Sequence, residues 1–327
     1  MNRRPSREDL KEILLQASKD ARLVGHRAKW PRYLYRLEDV RAAASILRTG
    51  SLLSRNLAMQ DDAMITDSAS PEIVGSQPHL HDYARLYFRP RTPTQFYMEG
   101  IRGQEERDKA KHAGGCVPVI LCFKALDVLT RDDLHFTFGN ATASGYPIQD
   151  DPWHLKNAPW QDIYHDAPIK KDEHKSQIVT RRCAEVLIPD HLPTDAVQEV
   201  ICRSTPEADT LRSLLKGDWS AWKDRVRVPR AEEAFFYATF AYVASVQYTG
   251  EVIDVQFSNP QTTGRVVVSW HVWSRSGSLV RDTREMDSLA RLMKFRVPKG
   301  HEHIGFALRV DHFLAFQGAL SSKSFFA

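Results

Sequence analysis

Glu185 is the residue in this chain best placed to do chemistry. It lies in residues 178–193, IVTRRCAEVLIPDHLP, as one acidic group inside an apolar run that follows Arg181 and Arg182. Read as a strand, the run turns Cys183, Glu185 and Leu187 one way and Ala184, Val186 and Ile188 the other. A carboxylate within a core strand is costly to desolvate unless it is paired or put to use. Two readings meet that demand. One is a strand residue salt-bridged to either arginine; the other is a catalytic carboxylate at a sheet edge.

A second concentration of reactive side chains falls at residues 81–93, HDYARLYFRPRTP. Alternation gathers His81, Tyr83, Arg85 and Tyr87 on one face, with Arg89 and Arg91 beyond them. Such a face suits phosphates and bases, and it equally suits an ordinary strand with a basic edge. Other catalytic signatures are missing: the chain has no P-loop, GxGxxG, HExxH or GxSxG motif. None of the 13 histidines pair at zinc spacing, so no metal is expected. The four cysteines, at 116, 122, 183 and 202, form no CxxC pair, and three of them sit in apolar runs, which fits reduced core thiols in a cytoplasmic protein. A net charge of +4 permits a nucleic-acid partner without demanding one.

The elements that must position these residues can be read in order. With 327 residues, 42% of them apolar, the chain can form two domains. Residues 6–24 carry a capped amphipathic helix within an N-terminal arm, 1–30. From Tyr33, YLYRL reads as a strand, followed by a helix that ends at Gly50. Residues 59–80 form a polar loop, 104–113 a charged surface segment, and VPVILCF at 117–123 the strongest buried strand. A turn-rich stretch at 136–150, the Glu185 strand, VQEVICRS at 197–204 and a helix at 208–216 follow. The pattern over 31–217 is α+β. After a charged boundary at 217–231, residues 230–327 are almost all strand and turn, the rhythm of a β-sandwich. The N-terminal MNRRPSREDLKEILLQ lacks an apolar signal core, and no apolar run is long enough to span a bilayer, so a soluble protein without a membrane partner is expected.

Four of these stretches recur in the same order in one known family. YLYRL with ASILRTGSLLS, then HLHDYARLYFRPRTP, then FTFGNATA, then RRCAEVLIP together resemble the DarT family of DNA ADP-ribosyltransferases. That family reads Ser-Ile-Leu…Gly-Leu-Leu-Ser early, then His-Asp-Tyr-Val-Pro-Phe-Tyr-Phe-x-Pro-Arg-Ser-Pro, then Thr-Asp-Gly-Asn-Ala, and later Arg-Arg-x-Ala-Glu-Phe-Leu-Val. The resemblance spans roughly residues 33–205. It implies an ADP-ribosyltransferase-type split β-sheet, NAD+ as substrate, and transfer of ADP-ribose to a base of single-stranded DNA. It also implies a toxin or phage-defence role and a macrodomain antitoxin as partner. Glu185 takes the place of the family's catalytic glutamate. Arg36 stands where the family has histidine, and with Tyr35, His81, Tyr83 and Tyr87 is expected to bind NAD+. Arg89, Arg91, Arg181 and Arg182 are expected to contact the nucleic acid. The family places an arginine in the long loop before His-Asp-Tyr, whereas residues 59–80 hold none. Arg55 and Arg85 are the nearest substitutes. An RNA or protein acceptor, or a binding-only relative, stays open as an alternative.

Overall fold

The structure, a computed structural model, describes residues 3–61, 63, 77–103, 115–169, 174–259 and 264–321. Most of the arginine-free loop and all of the charged 104–113 segment lie outside the described residues. Helix α1 (Arg7–Asp20) starts at a capping box. Ser6 accepts from the Asp9 N–H, and the Asp9 carboxylate accepts from the Ser6 N–H. Its apolar face buries Leu10, Ile13, Leu14 and Ala17. Helix α2 (Val40–Thr49) is capped by Asp39 and closed by Gly50, whose φ of 74° is a left-handed conformation that glycine adopts without penalty.

The first half is built on β1 (Tyr33–Asp39), β2 (Ser51–Leu53), β3 (Tyr83–Tyr87), β4 (Pro118–Lys124) and β5 (His135–Thr137). It continues through β6 (Glu185–Pro189), β7 (His191–Pro193), β8 (Val197–Cys202) and β9 (Val226–Arg227). Strands β2 and β7 form a small ladder, and the others run in the order β5-β6-β3-β1-β4-β8-β9. Pairing is uneven across that order. Strand β1 pairs with β4 from Tyr33↔Lys124 to Asp39↔Pro118, and β3 pairs with β6 from Tyr83↔Pro189 to Tyr87↔Glu185. Between β1 and β3 the register holds at Tyr35↔Tyr87 alone. The sheet is therefore split at that junction, as expected for an α+β transferase fold. One face packs Leu34, Ala84, Leu86, Val119, Leu121, Val186 and Ile188 into the main core. The other holds a smaller cluster of Tyr35, Ile120, Cys122, Ile201 and Phe235.

The second half is all β, as expected. Strands β10 (Tyr242–Tyr248), β11 (Val252–Ser258) and β14 (Leu292–Arg296) make one antiparallel sheet. Strands β12 (Val266–Ser274), β13 (Gly277–Met286), β15 (His303–Val310) and β16 (Phe313–Ser321) make the other, in the order β13-β12-β15-β16. Alternating apolar residues face inward, and Trp270, Phe295 and Phe306 meet with ring centroids 5.0 and 5.3 Å apart.

A buried ionic group ties the halves together. Arg203 and Glu207, each almost without solvent exposure, form a hydrogen-bonded pair. Arg203 also stacks 4.2 Å above the Tyr242 ring and lies 3.6 Å from Glu99. The Glu99 carboxylate accepts from the backbone N–H groups of Tyr237 (3.0 Å) and Ala238 (2.6 Å), on the segment leading into β10. The Ser204 hydroxyl donates to Val243 O at 2.8 Å. Removing one member of such a group strands the others in a low-dielectric interior. Glu99→Ala is expected to cost about 3–5 kcal/mol of unfolding free energy. Urea denaturation checks this, and a loss below about 1 kcal/mol would show that the junction does not depend on this group.

Candidate active site

Glu185 opens β6 between two strands, opposite Tyr87 of β3 and Thr137 of β5. Its position follows from its neighbours. Ala184, Val186 and Ile188 anchor in the main core, so the alternating register sends Glu185 to the opposite face. There it is 1% exposed. Arg85, two residues before Tyr87 and on the same face, forks onto it: Nε donates to Oε2 at 2.5 Å and Nη2 to Oε1 at 2.8 Å. The backbone N–H of Ala141 adds a donor to Oε1 at 3.3 Å. Ala141 belongs to the turn after β5, where Asn140 Oδ1 accepts from the Thr142 N–H and hydroxyl at 3.0 and 2.8 Å. Gly139 precedes it, and a Cβ there would lie 2.3 Å from the Tyr146 ring, so a larger residue would have to displace that ring from the turn.

The partner differs from the sequence expectation. Glu185 does not pair with Arg181 or Arg182. Both sit at the end of the helix Lys175–Arg181, which turns them away from the strand. Arg181 pairs with Asp162, while Arg182 meets His165 Nδ1 at 2.5 Å and donates to Ala167 O at 2.7 Å.

The charges around Glu185 are set by burial and by one another. Burial works against the Arg85 charge, but the Glu185 carboxylate outweighs it and holds the guanidinium above its ordinary value. Burial, then Glu185, pushes the Tyr87 phenol up to about 12, so it stays a neutral hydroxyl beside the carboxylate. Burial and Glu185 likewise push Cys183 up to about 12. That thiol is a poor nucleophile at neutral pH.

The other predicted residues fall into separate places. Arg36 sits at the split, with Nε on Glu38 Oε1 at 2.6 Å and Nη1 donating to Arg85 O at 3.2 Å. Tyr35 is 2% exposed; its ring packs in the smaller core and its hydroxyl donates to Trp30 O at 3.1 Å. Tyr87 is the predicted ligand residue brought against Glu185. Tyr83 lies four residues along β3, about 13 Å at 3.3 Å per residue, and meets His135 edge-on at 5.6 Å. His81 is in the turn Pro78–Asp82 before it. Arg89, only 1% exposed, donates to Pro90 O, Ile163 O and His165 O and to Asp166 Oδ1. Asp166 also receives Arg91 at 2.8 Å and Arg27 at 3.0 Å. This hub joins segments some 140 residues apart in sequence, so no local spacing announces it. Among the described residues, no group of three metal-ligating side chains comes together.

A family model described as DarT, ssDNA thymidine ADP-ribosyltransferase, matches residues 35–236, well over half of the chain. The chain belongs to the DarT family. It is thus an ADP-ribosyltransferase, the NAD-dependent enzyme class expected from the sequence. The DarT of Thermus sp. 2.9 in complex with ADP-ribosylated ssDNA is 21% identical, with a TM-score of 0.50 over 63% of this chain and 97% of that one. The same protein in complex with NAD+ gives a TM-score of 0.48 at 21% identity, over 63% of this chain and 98% of that one. DarTG of Thermosipho africanus in complex with ADP-ribose gives 0.47 at 18% identity, over 67% of this chain and 53% of that one. No curated protein matches the chain. Within the DarT pattern His-Asp-Tyr-Val-Pro-Phe-Tyr-Phe, this chain reads His81 to Phe88 and carries Arg85 in the proline position. The residue that clamps Glu185 is therefore a departure from the DarT pattern.

All four cysteines are buried thiols. A disulfide-exchange reagent at pH 7–8 is expected to leave them unmodified in the folded protein and to label four only after denaturation. A thiol reacting at the rate of a free cysteine in native buffer would show that the Cys183–Glu185 region is open.

Proposed function

We propose that this DarT family member transfers ADP-ribose from NAD+ to a base of single-stranded DNA, with Glu185 as the catalytic carboxylate. The observation that carries the reading is a buried glutamate held by a two-pronged guanidinium beside the split of the sheet. The family description, which names thymidine in ssDNA, supports the acceptor. In the reaction the bond between ribose C1′ and nicotinamide breaks, and its electron pair leaves with nicotinamide. The ribose develops oxocarbenium character, a base nitrogen attacks C1′, and that nitrogen gives up its proton.

Glu185 is suited to three parts of this sequence. Its negative charge stabilises the cationic ribose, an oxygen can hold a ribose hydroxyl, and the carboxylate can receive the proton. Each carboxylate oxygen has two lone pairs. Among the described residues Oε2 accepts from Arg85 Nε alone, which leaves room for a substrate hydroxyl. Arg85 is a positioning residue: its planar fork fixes both oxygens, so little reorganisation is needed when charge develops. Tyr87, kept neutral, can donate to a substrate oxygen at the same place. The catalytic part is assigned to residues 31–217, with the arm 1–30 packed on it and 230–327 as an accessory β-domain. A toxin role with a macrodomain antitoxin belongs to the same proposal and rests on the family resemblance. Cytoplasmic action is part of the proposal too and rests on the cysteine pattern and the N-terminal sequence. No helix among the described residues is long and apolar enough to cross a membrane.

The test incubates the protein with labelled NAD+ and oligonucleotides that each contain one kind of base, beside RNA and protein acceptors. Wild type is expected to label thymidine-containing single strands, and Glu185→Gln to lose at least about 100-fold in rate. Equal labelling by Glu185→Gln would sink the assignment, and label on RNA or protein in place of DNA would move the acceptor. Arg85→Met is expected to lower kcat about tenfold or more while leaving KM for NAD+ within a few-fold. Arg85→Lys should restore part of the rate, since one ammonium pairs with Glu185 but cannot fork.

A further inference from the structure

Residues 237–321 lie beyond the family match, and the active site uses none of the outer face of β13-β12-β15-β16. Strand β12 turns Val268, Trp270 and Val272 into the sandwich and Ser269, His271 and Trp273 outward. Trp273 is not an incidental exposed aromatic. It stands opposite Gly305 of β15, and a Cβ on that glycine would lie 2.0 Å from the indole Cε2 and 2.3 Å from Nε1. Any other residue at 305 would push the ring off the sheet. Glycine thus lets the indole lie over bare backbone, with His271 beside it at a centroid distance of 5.0 Å and a tilt of 37°. Both rings remain partly exposed.

The charges on this face are one-sided. The register sets Arg281 opposite His271 and Arg309 opposite Ser269, and both are exposed. Among the described residues neither guanidinium meets a carboxylate, and Arg309 Nη1 makes only a long contact, 3.4 Å, to the carbonyl of His312. Glu285, opposite Val267, is already paired with Arg265 at 2.5 Å. Arg284, opposite the inward Val268, belongs to the other face, where it covers Trp270 at 4.9 Å and lies 3.6 Å from Asp282. Two flat rings flanked by two cations without counter-charges fit a ligand with stackable planes joined by anions. A neutral glycan would give the rings a partner but leave both guanidiniums without one.

We propose that this face is a second binding site for single-stranded nucleic acid, with bases stacked on Trp273 and His271 and phosphates on Arg281 and Arg309. That the strand is also the substrate rests on the transferase reading; the binding itself does not. Fluorescence anisotropy of a labelled thymidine oligonucleotide of about 12 residues, titrated with the full chain without NAD+, tests it. Trp273→Ala is expected to weaken binding about tenfold, the loss typical of one stacked base. Arg281→Ala with Arg309→Ala, at two exposed positions where folding is not at stake, should weaken binding and flatten the log–log salt dependence by about 1.4, or 0.7 per lost phosphate contact. Trp273→Phe, which keeps a ring over Gly305, should recover most of the affinity, and urea midpoints confirm that the variants fold. Unchanged affinity in both the Trp273→Ala and the double arginine variant overturns the proposal. So does a neutral oligosaccharide that binds this face in place of DNA. Because no NAD+ is present, failure here leaves Glu185 untouched, and failure of the transfer panel leaves this site standing.

Discussion

The two-pronged contact between Arg85 and Glu185 is the constraint on which the first half of the molecule depends. A carboxylate this deeply buried persists only with compensating donors, and removing one partner of such a pair is far more costly than the pair is stabilising. To bring the guanidinium to the carboxylate, β3 must lie beside β6 with Tyr87 opposite Glu185. A one-residue slip would send Arg85 into the apolar core. Strand β3 is thereby committed to β6 along its length and meets β1 only at Tyr35↔Tyr87. Arg36 then bridges the opening by donating to Arg85 O, while the Arg85 side chain ties β3 to β6 on the far side.

The same logic recurs at two other places. Asp166 gathers Arg27, Arg89 and Arg91 from separated segments, and Glu99 with Glu207 holds Arg203 where the two halves meet. In each case the acid lies where chain segments converge, and the arginines are consumed in making that convergence. Each is a register device more than a source of stability, because desolvation offsets much of the Coulombic gain. Such a design has a consequence for function. An arginine count taken from the sequence overstates the positive surface available to a phosphate backbone, since the guanidiniums nearest Glu185 are turned inward.

This explains what could and could not be read from the sequence. The strand of Glu185, the helix closed by Gly50, the buried strand expected at 117–123 and found as Pro118–Lys124, and the β-rich second half follow from local patterns, and all are present. Glu185 itself was legible because a lone carboxylate in an apolar run is a local anomaly. Its partner was not. Alternation placed Arg85 on the right face, but nothing local says that β3 will lie against β6 100 residues away, whereas Arg181 and Arg182 stood next to Glu185 in sequence. Arg89 was misleading for the same reason. An arginine after a strand looks exposed until Asp166 and the carbonyls of Ile163 and His165 fold around it. Ion pairs across distant segments are tertiary facts, and sequence periodicity carries no record of them.

The pattern of consumed and unconsumed charge also bears on how the two halves divide their work. A transferase acting on a polyanion needs cations that are not already neutralised, because attraction to phosphate comes from guanidiniums able to replace counterions. Around Glu185 the arginines face carboxylates and carbonyls, an arrangement suited to fixing atoms within fractions of an ångström and poor at holding a long flexible strand. On the outer face of the sandwich the balance is reversed. Arg281 and Arg309 stand beside two aromatic rings on a sheet whose own fold does not require them. Rigid positioning and loose capture make opposite demands on the same residue type, since an arginine locked to a carboxylate is immobile and one without a counter-charge is available. Placing the two kinds on separate sheets lets one chain meet both demands.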